Sequence, residues 1–223
     1  MSAEPKVLRY LGTAVNEGDE ISKKCLADTG IKIEYITATT DDVTKRVITQ
    51  PNSFDVLDTE YFSLKTLVPF SGAATSAIIG RPERLDALGA AFVNAISANL
   101  LDFDDTHLDT IIHPAAPVAA PVLALAQARG FSGRAVLTAF ILGGEVECRV
   151  GNAVSPGHYA RGWHITSTCG VFGAAAACAK LLGLSADQIA HAIGIAASQS
   201  AGIIENLPSA AKNVSVGNSA RNG

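Results

Sequence analysis

The chain has 223 residues, of which 48% are hydrophobic and 17% are charged, and its formal net charge is −4 at pH 7. A chain of this length can bury the apolar core of one large domain or of two small ones. The slight acidity, without a tract of Lys and Arg, argues against nucleic acid and anionic membranes as partners.

The sequence contains no pattern typical of export or of membrane insertion. The first residues, 1–6, lead into no apolar signal-peptide core, and no uncharged apolar run is long enough to cross a bilayer. The four cysteines form no CxxC pair and show no metal-ligand spacing, which favours reduced thiols. We therefore expect a cytoplasmic protein that does not contact a membrane.

The first seventy residues alternate between short strand patterns and helical patterns. Strands are predicted over 7–11, 31–36 and 54–57, and helices over 21–27 and 41–49. Strands that alternate with helices indicate a parallel sheet with right-handed crossovers. The sequence therefore predicts a small βαβαβ segment at the front of the chain.

Three pieces of this segment resemble the first lobe of a solute-binding protein of the polyamine type. They are Leu8-Arg-Tyr-Leu-Gly-Thr13, Gly30-Ile-Lys-Ile-Glu34 and Ser53-Phe-Asp-Val56. The resemblance covers about residues 6–68 and implies a binding module as one function of the chain. An unrelated α/β segment is the alternative.

The pattern changes near residue 70, so we predict two domains, an α/β segment over 1–70 and a helical domain over 71–223. Helices rich in Ala, Leu and Ile are predicted over 85–100, 117–128, 133–150, 166–182 and 186–200. The expected fold class is mainly α, preceded by the small α/β segment. The small side chains allow helices to pack closely.

The segment 101–114 concentrates ionisable groups in a chain with few charges. It reads Leu-Asp-Phe-Asp-Asp-Thr-His-Leu-Asp-Thr-Ile-Ile-His-Pro. If the segment were helical, Asp102, Asp105 and Asp109 would share one face, and Pro114 would bar a regular helix just beyond it. Carboxylate and imidazole groups in a partly dry pocket push their pKa values apart, which provides an acid and a base together. The alternative is a capped and solvated surface turn.

Two other kinds of site fit the acidic residues less well. Asp104, Asp105 and Asp109 could bind Mg²⁺, because hard cations prefer carboxylate oxygens, but no phosphate-binding loop accompanies them. The stretch 102–106 also matches the DxDD-T pattern of some terpene cyclases. Those enzymes need many aromatic rings to stabilise carbocations, whereas only 6% of this chain is aromatic. We therefore predict no metal site.

A histidine precedes the most Ala-rich run of the chain. Gly162-Trp-His-Ile-Thr-Ser-Thr-Cys-Gly170 leads into the run 173–182, and Thr166 or Ser167 is the expected N-cap of that helix. His164 would then lie at a helix N-terminus, where free backbone N–H groups favour a bound anion. A core histidine beside a packing tryptophan is the alternative.

Lys212 is one of only two lysines between Phe70 and Gly223, the other being Lys180. We predict that it lies in a loop over 209–218. Because lysines are scarce in this half, Lys212 is a candidate for a specific role rather than one of many solvated surface charges. An exposed loop lysine is the alternative.

Taken in order, these segments and three others resemble the signature segments of the MmgE/PrpD family. They are Asp102-Phe-Asp-Asp-Thr-His107, His113-Pro114, Gly144-Glu-Val-Glu147 with Arg149, Gly162-Trp-His164, Leu182-Gly-Leu-Ser185 and Gly217-Asn-Ser-Ala-Arg-Asn-Gly223. The family includes 2-methylcitrate dehydratase, cis-aconitate decarboxylase and a related epimerase. These enzymes need no cofactor and act on the proton alpha to a carboxylate of small di- and tricarboxylic acids. The resemblance covers about residues 72–223.

The resemblance implies that four residues line an active site: Asp102, His113, His164 and Lys212. Removal of a proton next to a carboxylate builds negative charge on its oxygens, so the site needs cations or strong donors and a base. His164 and Lys212 would supply the positive side. Asp102 and His113 would serve as base and acid, in an order that the sequence leaves open.

We further expect His107 and Trp163 to contact the substrate, a small polycarboxylate, and expect no cofactor and no metal. One position departs from the family, because Ser215 stands where members often have His three residues after the lysine. This departure leaves the substrate open. The resemblance also implies a homodimer.

Family members continue for about as long again beyond the region that corresponds to this chain, with a smaller α/β domain that covers the active site. We therefore expect the chain to lack its lid. The main hypothesis is a cofactor-independent lyase or isomerase of small polycarboxylates. The alternatives are a solute-binding module, or a composite or truncated gene product without turnover.

Overall fold

The computed structural model describes residues 6–12, 19–37, 56–57, 64, 66–100 and 102–223. The chain divides into two compact units, Met1–Phe62 and Ser63–Gly223.

The first unit contains a parallel sheet. Its described elements are β1 (Lys6–Gly12), α1 (Asp19–Thr29), β2 (Ile31–Thr37) and β3 (Val56–Leu57). β1 is the middle strand and pairs in parallel with both neighbours, in the order β2-β1-β3. The predicted strands and their parallel pairing are thus confirmed where the chain is described. The predicted helix over 41–49 lies outside the described residues.

The second unit is mainly helical, as predicted. Its elements are β4 (Ser76–Ala77), β5 (Arg84–Leu85), α2 (Ala87–Asn99), α3 (Ala115–Arg129), α4 (Gly133–Val154), α5 (Gly157–Ala160), α6 (Ile165–Leu181), α7 (Ala186–Ala197) and α8 (Ala211–Asn222). β4 and β5 form a short antiparallel pair that the sequence did not predict. Within the described ranges, no helix combines the length and the apolar content that crossing a bilayer requires.

The helix α6 is the centre of this unit and packs against α3, α4, α7 and α8. Its sequence is a run of small residues, and most of them are buried, as expected for a helix that is apolar on all sides. The crossing with α4 is close because glycines face each other there. A Cβ atom on Gly143 would lie 2.7 Å from the carbonyl oxygen of Gly173, and one on Gly173 would lie 2.8 Å from that of Gly143.

Polar side chains at helix starts satisfy the free N–H groups there. Asp86 accepts hydrogen bonds from the backbone of Leu88 and Gly89 at the start of α2. Ser185 and Gln188 form a capping box at the start of α7. These caps explain why the helix boundaries predicted from the sequence agree closely with those of the structure.

The acidic segment is not a helix, so the condition under which Asp102, Asp105 and Asp109 would share a helical face is not met. The segment forms a turn closed by a bridge in which the N–H of His107 donates to the carbonyl of Ile112 at 2.8 Å. Aspartate side chains compete with the helix by bonding nearby backbone, and Asp105 accepts from the N–H of Ala115 at 3.0 Å.

Two residues of this segment, Asp102 and Ile111, have left-handed backbone conformations with φ of 50° and 57°. Pro114 is the N-cap of α3 and so marks the start of a helix, where proline is well tolerated.

Two further boundaries differ from the predictions. The helix α8 begins at Ala211, so Lys212 lies in its first turn rather than in a loop. The N-cap of α6 is His164 itself, two or three residues before the predicted Thr166 or Ser167. The hydroxyls of residues 167 and 168 instead donate back to the carbonyl of His164, as helical Ser and Thr commonly do.

Candidate active site

A cavity of about 250 Å³ lies among helix ends of the second unit. Its lining includes the four residues that the family resemblance implies for an active site: Asp102, His113, His164 and Lys212. Thr106 and Tyr159 line it as well. Cavities for drug-sized ligands measure about 300–1,000 Å³, so this one suits a smaller molecule.

Each of the four residues stands at or close to a helix terminus. Asp102 follows α2, His113 precedes the N-cap of α3, His164 is the N-cap of α6, and Lys212 lies in the first turn of α8. The helices pack side by side, so their ends bring together residues that are far apart in the chain.

Lys212 and Asp102 form an ion pair across the cavity. Lys212 is only 8% exposed, whereas the Asp102 side chain is 57% exposed. A lysine so deeply buried is normally paired, and Asp102 provides the partner. The carboxylate of Asp102 is therefore engaged by a cation, but it lies on the solvent side of the pair.

His113 is held by a carboxylate and a carbonyl on its Nδ1 side. Nδ1 lies 2.9 Å from the carbonyl oxygen of Asp105 and 3.3 Å from Oδ1 of Asp104. Because a carbonyl can only accept, Nδ1 carries a proton. The hydrogen bond to Asp104 raises the pKa of His113, although burial and the charge of Lys212 act in the opposite direction.

Asp104 is the anionic partner of this pair. Burial raises the pKa of its carboxyl, but hydrogen bonds from His113 and Asn99 outweigh this effect, and the net pKa is lowered. The Nδ2 group of Asn99 donates to Oδ2 of Asp104 at 2.9 Å. Asp104 is therefore ionised and fixed, which favours the imidazolium form of His113.

His164 has the opposite character. It is 4% exposed, and burial lowers its pKa to about 4, with further contributions from the positive charges of Lys212 and His113. The imidazole is therefore neutral near pH 7. The lowered pKa argues against the expectation that His164 supplies positive charge, because a buried ring beside positive groups disfavours a further charge. The positive charge that faces His164 comes from Lys212 and from the imidazolium form of His113, which Asp104 favours.

The two residues expected to contact the substrate lie outside the cavity lining. Nδ1 of His107 is 2.7 Å from the hydroxyl of Thr110 inside the turn. Trp163 is 43% exposed and stacks on His158 at a centroid distance of 6.0 Å. Both residues support the segments that carry site residues: His107 closes the turn before His113, and Trp163 directly precedes His164.

One group of described side chains has the geometry to hold a metal ion. Ligand atoms of Asp102, Asp104 and His113 lie within 4.8 Å of one another. The charges of these carboxylates are already balanced, because Lys212 pairs with Asp102 and His113 pairs with Asp104. Asp105, which the sequence offered as an Mg²⁺ ligand, caps the backbone of α3 instead.

Sequence reasoning missed several residues that shape the site. The sequence offers Asp104 as a possible Mg²⁺ ligand and as part of two acidic motifs, but its pairing with His113 depends on a turn that the sequence pattern does not predict. Ser167 and Ser215 lie 3.1 and 3.3 Å from Nδ1 of His164. Ser215 departs from the family pattern, and this departure is the one signal in the sequence for its position in the site.

Comparisons with known proteins agree with the architecture. The model of the MmgE/PrpD N-terminal domain matches residues 63–223. The cis-aconitate decarboxylase of Homo sapiens is 34% identical over 205 residues, which cover 87% of this chain and 42% of that protein. The enzyme of the same name from Mus musculus is 35% identical over 206 residues, with the same coverage.

The cis-aconitate decarboxylase of Aspergillus terreus is 30% identical over 167 residues, which cover 72% of this chain and 34% of that protein. The chain thus spans less than half the length of the curated relatives that it matches. The two mammalian matches cover more of the chain than the family model does, so they extend upstream of Ser63. The likeness of residues 6–68 to a solute-binding lobe stays a prediction. By the match over residues 63–223 and by these relatives, the chain belongs to the MmgE/PrpD family.

Proposed function

We propose that this protein is a lyase that acts on a small polycarboxylate through acid–base chemistry at the carbon next to a carboxylate. The observation that carries the proposal is the contrast in surroundings between two histidines that line one cavity. His113 is paired with Asp104 and favours its charged form, while His164 is buried beside cations and is neutral. Two titratable groups with pKa values pushed apart supply an acid and a base in one site.

Lys212 supports binding of an anionic substrate. Its ammonium is mostly buried and is paired with an exposed carboxylate, Asp102. A carboxylate of the substrate would compete with Asp102 for Lys212, and the exposed aspartate can turn away to solvent. Charge on the substrate oxygens would then be stabilised by a cation in a partly dry place, where its effect is stronger than in water.

The relatives make decarboxylation of cis-aconitate the first reaction to test, because that is the activity in their names. In such a reaction the bond to one carboxylate breaks, carbon dioxide leaves, and a carbon of the substrate takes up a proton. His113 is our proposed proton donor. Dehydration of 2-methylcitrate and epimerisation would use the same two histidines, with His164 as the acceptor of the alpha proton. A homodimer and a cytoplasmic location remain predictions.

The experiment is proton NMR in D₂O with cis-aconitate, 2-methylcitrate and related acids. We expect product, or deuterium next to a carboxylate, with the unchanged chain. His113→Ala and His164→Ala should each reduce the rate by about 100-fold or more, the size of typical general acid–base catalysis. His191→Ala is the matched control, because His191 is an exposed histidine of α7. Folded protein that exchanges or converts none of these acids would contradict the proposal.

A further inference from the structure

We infer that Ser215 is a positioning residue, which holds the proton of His164 on Nδ1 and leaves the unprotonated Nε2 to meet the substrate. The inference rests on the proposed function only for its effect on catalysis. The tautomer of His164 is a property of the folded chain and can be measured without turnover.

The hydroxyl of Ser215 has one hydrogen, and that hydrogen is already used. Oγ of Ser215 donates to the carbonyl oxygen of Lys212 at 2.6 Å, and a carbonyl can only accept. Oγ therefore offers only lone pairs to Nδ1 of His164, which lies 3.3 Å away. The hydrogen of that contact must come from the imidazole.

Ser167 presents the same arrangement from another helix. Its Oγ lies 3.1 Å from the carbonyl oxygen of His164, to which it donates, and 3.1 Å from Nδ1 of the same residue. When this hydroxyl donates to the carbonyl, its lone pairs also face Nδ1, as those of Ser215 do.

The backbone of His164 is fixed as well, which holds the base of its side chain in place. The N–H of His164 donates to the carbonyl of Gly202 at 3.1 Å. Gly202 has φ of 128° and leaves no room for a Cβ atom beside Ser167. A Cβ atom on Gly202 would overlap Oγ of Ser167, so the backbone at this glycine runs close to that hydroxyl.

The consequence is an imidazole with its lone pair on Nε2. None of the described residues makes a hydrogen bond to Nε2, and His164 lines the cavity together with Lys212, His113 and Asp102. A neutral ring of this kind accepts a proton or a hydrogen bond at Nε2. If the proton were on Nε2, the same ring could only donate there, and Asp102 would be the remaining charged acceptor of the cavity lining.

The first turn of α8 thereby sets two features of the site together. It carries the ammonium of Lys212, and its backbone carbonyl at Lys212 directs the hydroxyl of Ser215. A shift of this turn would move the ammonium of Lys212 and, at the same time, remove the contact of Ser215 that fixes the tautomer of His164.

The test is two-bond ¹H–¹⁵N NMR of histidine-labelled protein, which distinguishes Nδ1–H from Nε2–H rings by their nitrogen shifts. His164→Gln identifies the signal. We expect the Nδ1–H tautomer in the unchanged chain and in Ser215→Thr, which keeps a hydroxyl. Ser215→Ala should give a mixture of tautomers, and a Ser167→Ala, Ser215→Ala double variant should give a larger share of Nε2–H.

Ser219→Ala is the matched control. Ser219 is a buried serine of the same helix whose hydroxyl donates to the carbonyl three residues before it, at 2.7 Å, but it does not contact His164. We expect Ser219→Ala to keep the tautomer of the unchanged chain. With turnover, Ser215→Ala should lower kcat by about 2–10-fold, the value of one net hydrogen bond, with KM little changed.

The spectrum of the unchanged chain, with its His164 signal identified through His164→Gln, is the first decisive result. An Nε2–H ring in the unchanged chain overturns it, and so does a double variant with an unaltered tautomer. If the chain turns over no acid but the tautomer shifts as described, the positioning role stands and the proposed function fails. If turnover is present while the double variant keeps both its tautomer and its kcat, the proposed function stands and Ser215 has no positioning role.

Discussion

At the scale of single residues, Asp104 determines the charge state of the site through its contact with His113. Replacement of Asp104 by Asn removes the negative charge but keeps an oxygen that Asn99 can reach. We expect the pKa of His113 to fall, because the hydrogen bond to the carboxylate is the largest cause of its upward shift. Titration of the His113 ring by NMR measures this directly, and the alkaline limb of the pH–rate profile should move to lower pH.

The same pair makes the stability of the fold depend on pH. A histidine with a raised pKa stabilises the fold fully below its unfolded pKa, about 6.5, and this contribution is lost as the pH rises through the folded value. Asp104→Asn should therefore destabilise the chain more at pH 6 than at pH 8. Asp109→Asn is the control, an exposed carboxylate of the same segment. Equal losses at both pH values would contradict the role of the pair.

Glu147 is a carboxyl group that the proposed chemistry does not use. It is 0% exposed, and among the described atoms neither of its carboxyl oxygens has a hydrogen-bond partner. Burial raises its pKa well above the ordinary value, and the charge of Asp105 adds to the shift. The folded chain therefore holds a proton that the unfolded chain releases above about pH 4.3.

Glu147→Gln should accordingly change how stability depends on pH. With a raised folded pKa, the unfolding free energy of the unchanged chain falls as the pH rises above the unfolded value, until the folded group ionises. A neutral amide has no such loss, so the variant should gain stability relative to the unchanged chain from pH 5 to pH 8. Chemical denaturation at both pH values measures this gain. Glu145→Gln, at an exposed position of the same helix, should show none of it.

At the scale of elements, the crossing of α4 and α6 depends on one of two adjacent glycines. A Cβ atom on Gly143 would press against Ala177 and the Gly173 carbonyl, whereas one on Gly144 meets no atom within 4 Å. Gly143→Ala should destabilise the fold by about 1–3 kcal/mol, as overpacking does. Gly144→Ala should stabilise it by up to about 1 kcal/mol through helix propensity. Denaturation midpoints compare the two, and a similar effect of both substitutions would be inconsistent with the close crossing.

The helices of the second unit could be predicted because their apolar residues and caps point to the same boundaries. Asp86, Ser132 and Ser185 each precede a helix and cap it in the structure. The start of α8 could not be predicted, because Asn213 and Val214 are weak helix formers and packing against other helices decides the outcome.

The candidate site was predicted in its composition but not in its charges. The motifs singled out His164 and Lys212, and both line the cavity. The neutral state of His164 follows from burial beside Lys212 and His113, which depends on tertiary contacts. The contact of Asp104 with His113 likewise requires a turn whose hydrogen bonds compete with a helix that the spacing had favoured.

At the scale of the whole molecule, an apolar surface lies along α3 and α4. Leu137 and Ile141 are 59% and 62% exposed and lie one helical turn apart. An apolar cavity of about 340 Å³ between the two helices continues this surface. Exposed apolar surface of this kind favours association. We expect the chain to self-associate as its concentration rises.

A Leu137→Glu, Ile141→Glu double variant should weaken this self-association, because charge on the surface must be desolvated in any contact. Sedimentation velocity over a range of concentrations measures the effect. Thr138→Glu places a charge on an exposed polar position of the same helix and should change little. If this control weakens association as much as the double variant does, a general charge effect accounts for the result.

The left-handed backbone at Ile111 has a consequence for efforts to make the protein more heat-resistant. A β-branched residue rarely adopts φ of 57°, and the conformation costs roughly 1–2 kcal/mol compared with glycine or asparagine. Ile111 is also 48% exposed and lines the cavity, so its replacement loses less apolar burial than replacement of a core isoleucine would. Selection for thermal tolerance should therefore favour substitutions of Ile111. The selected variants would have a less bulky side chain in the cavity lining, next to the candidate site residues.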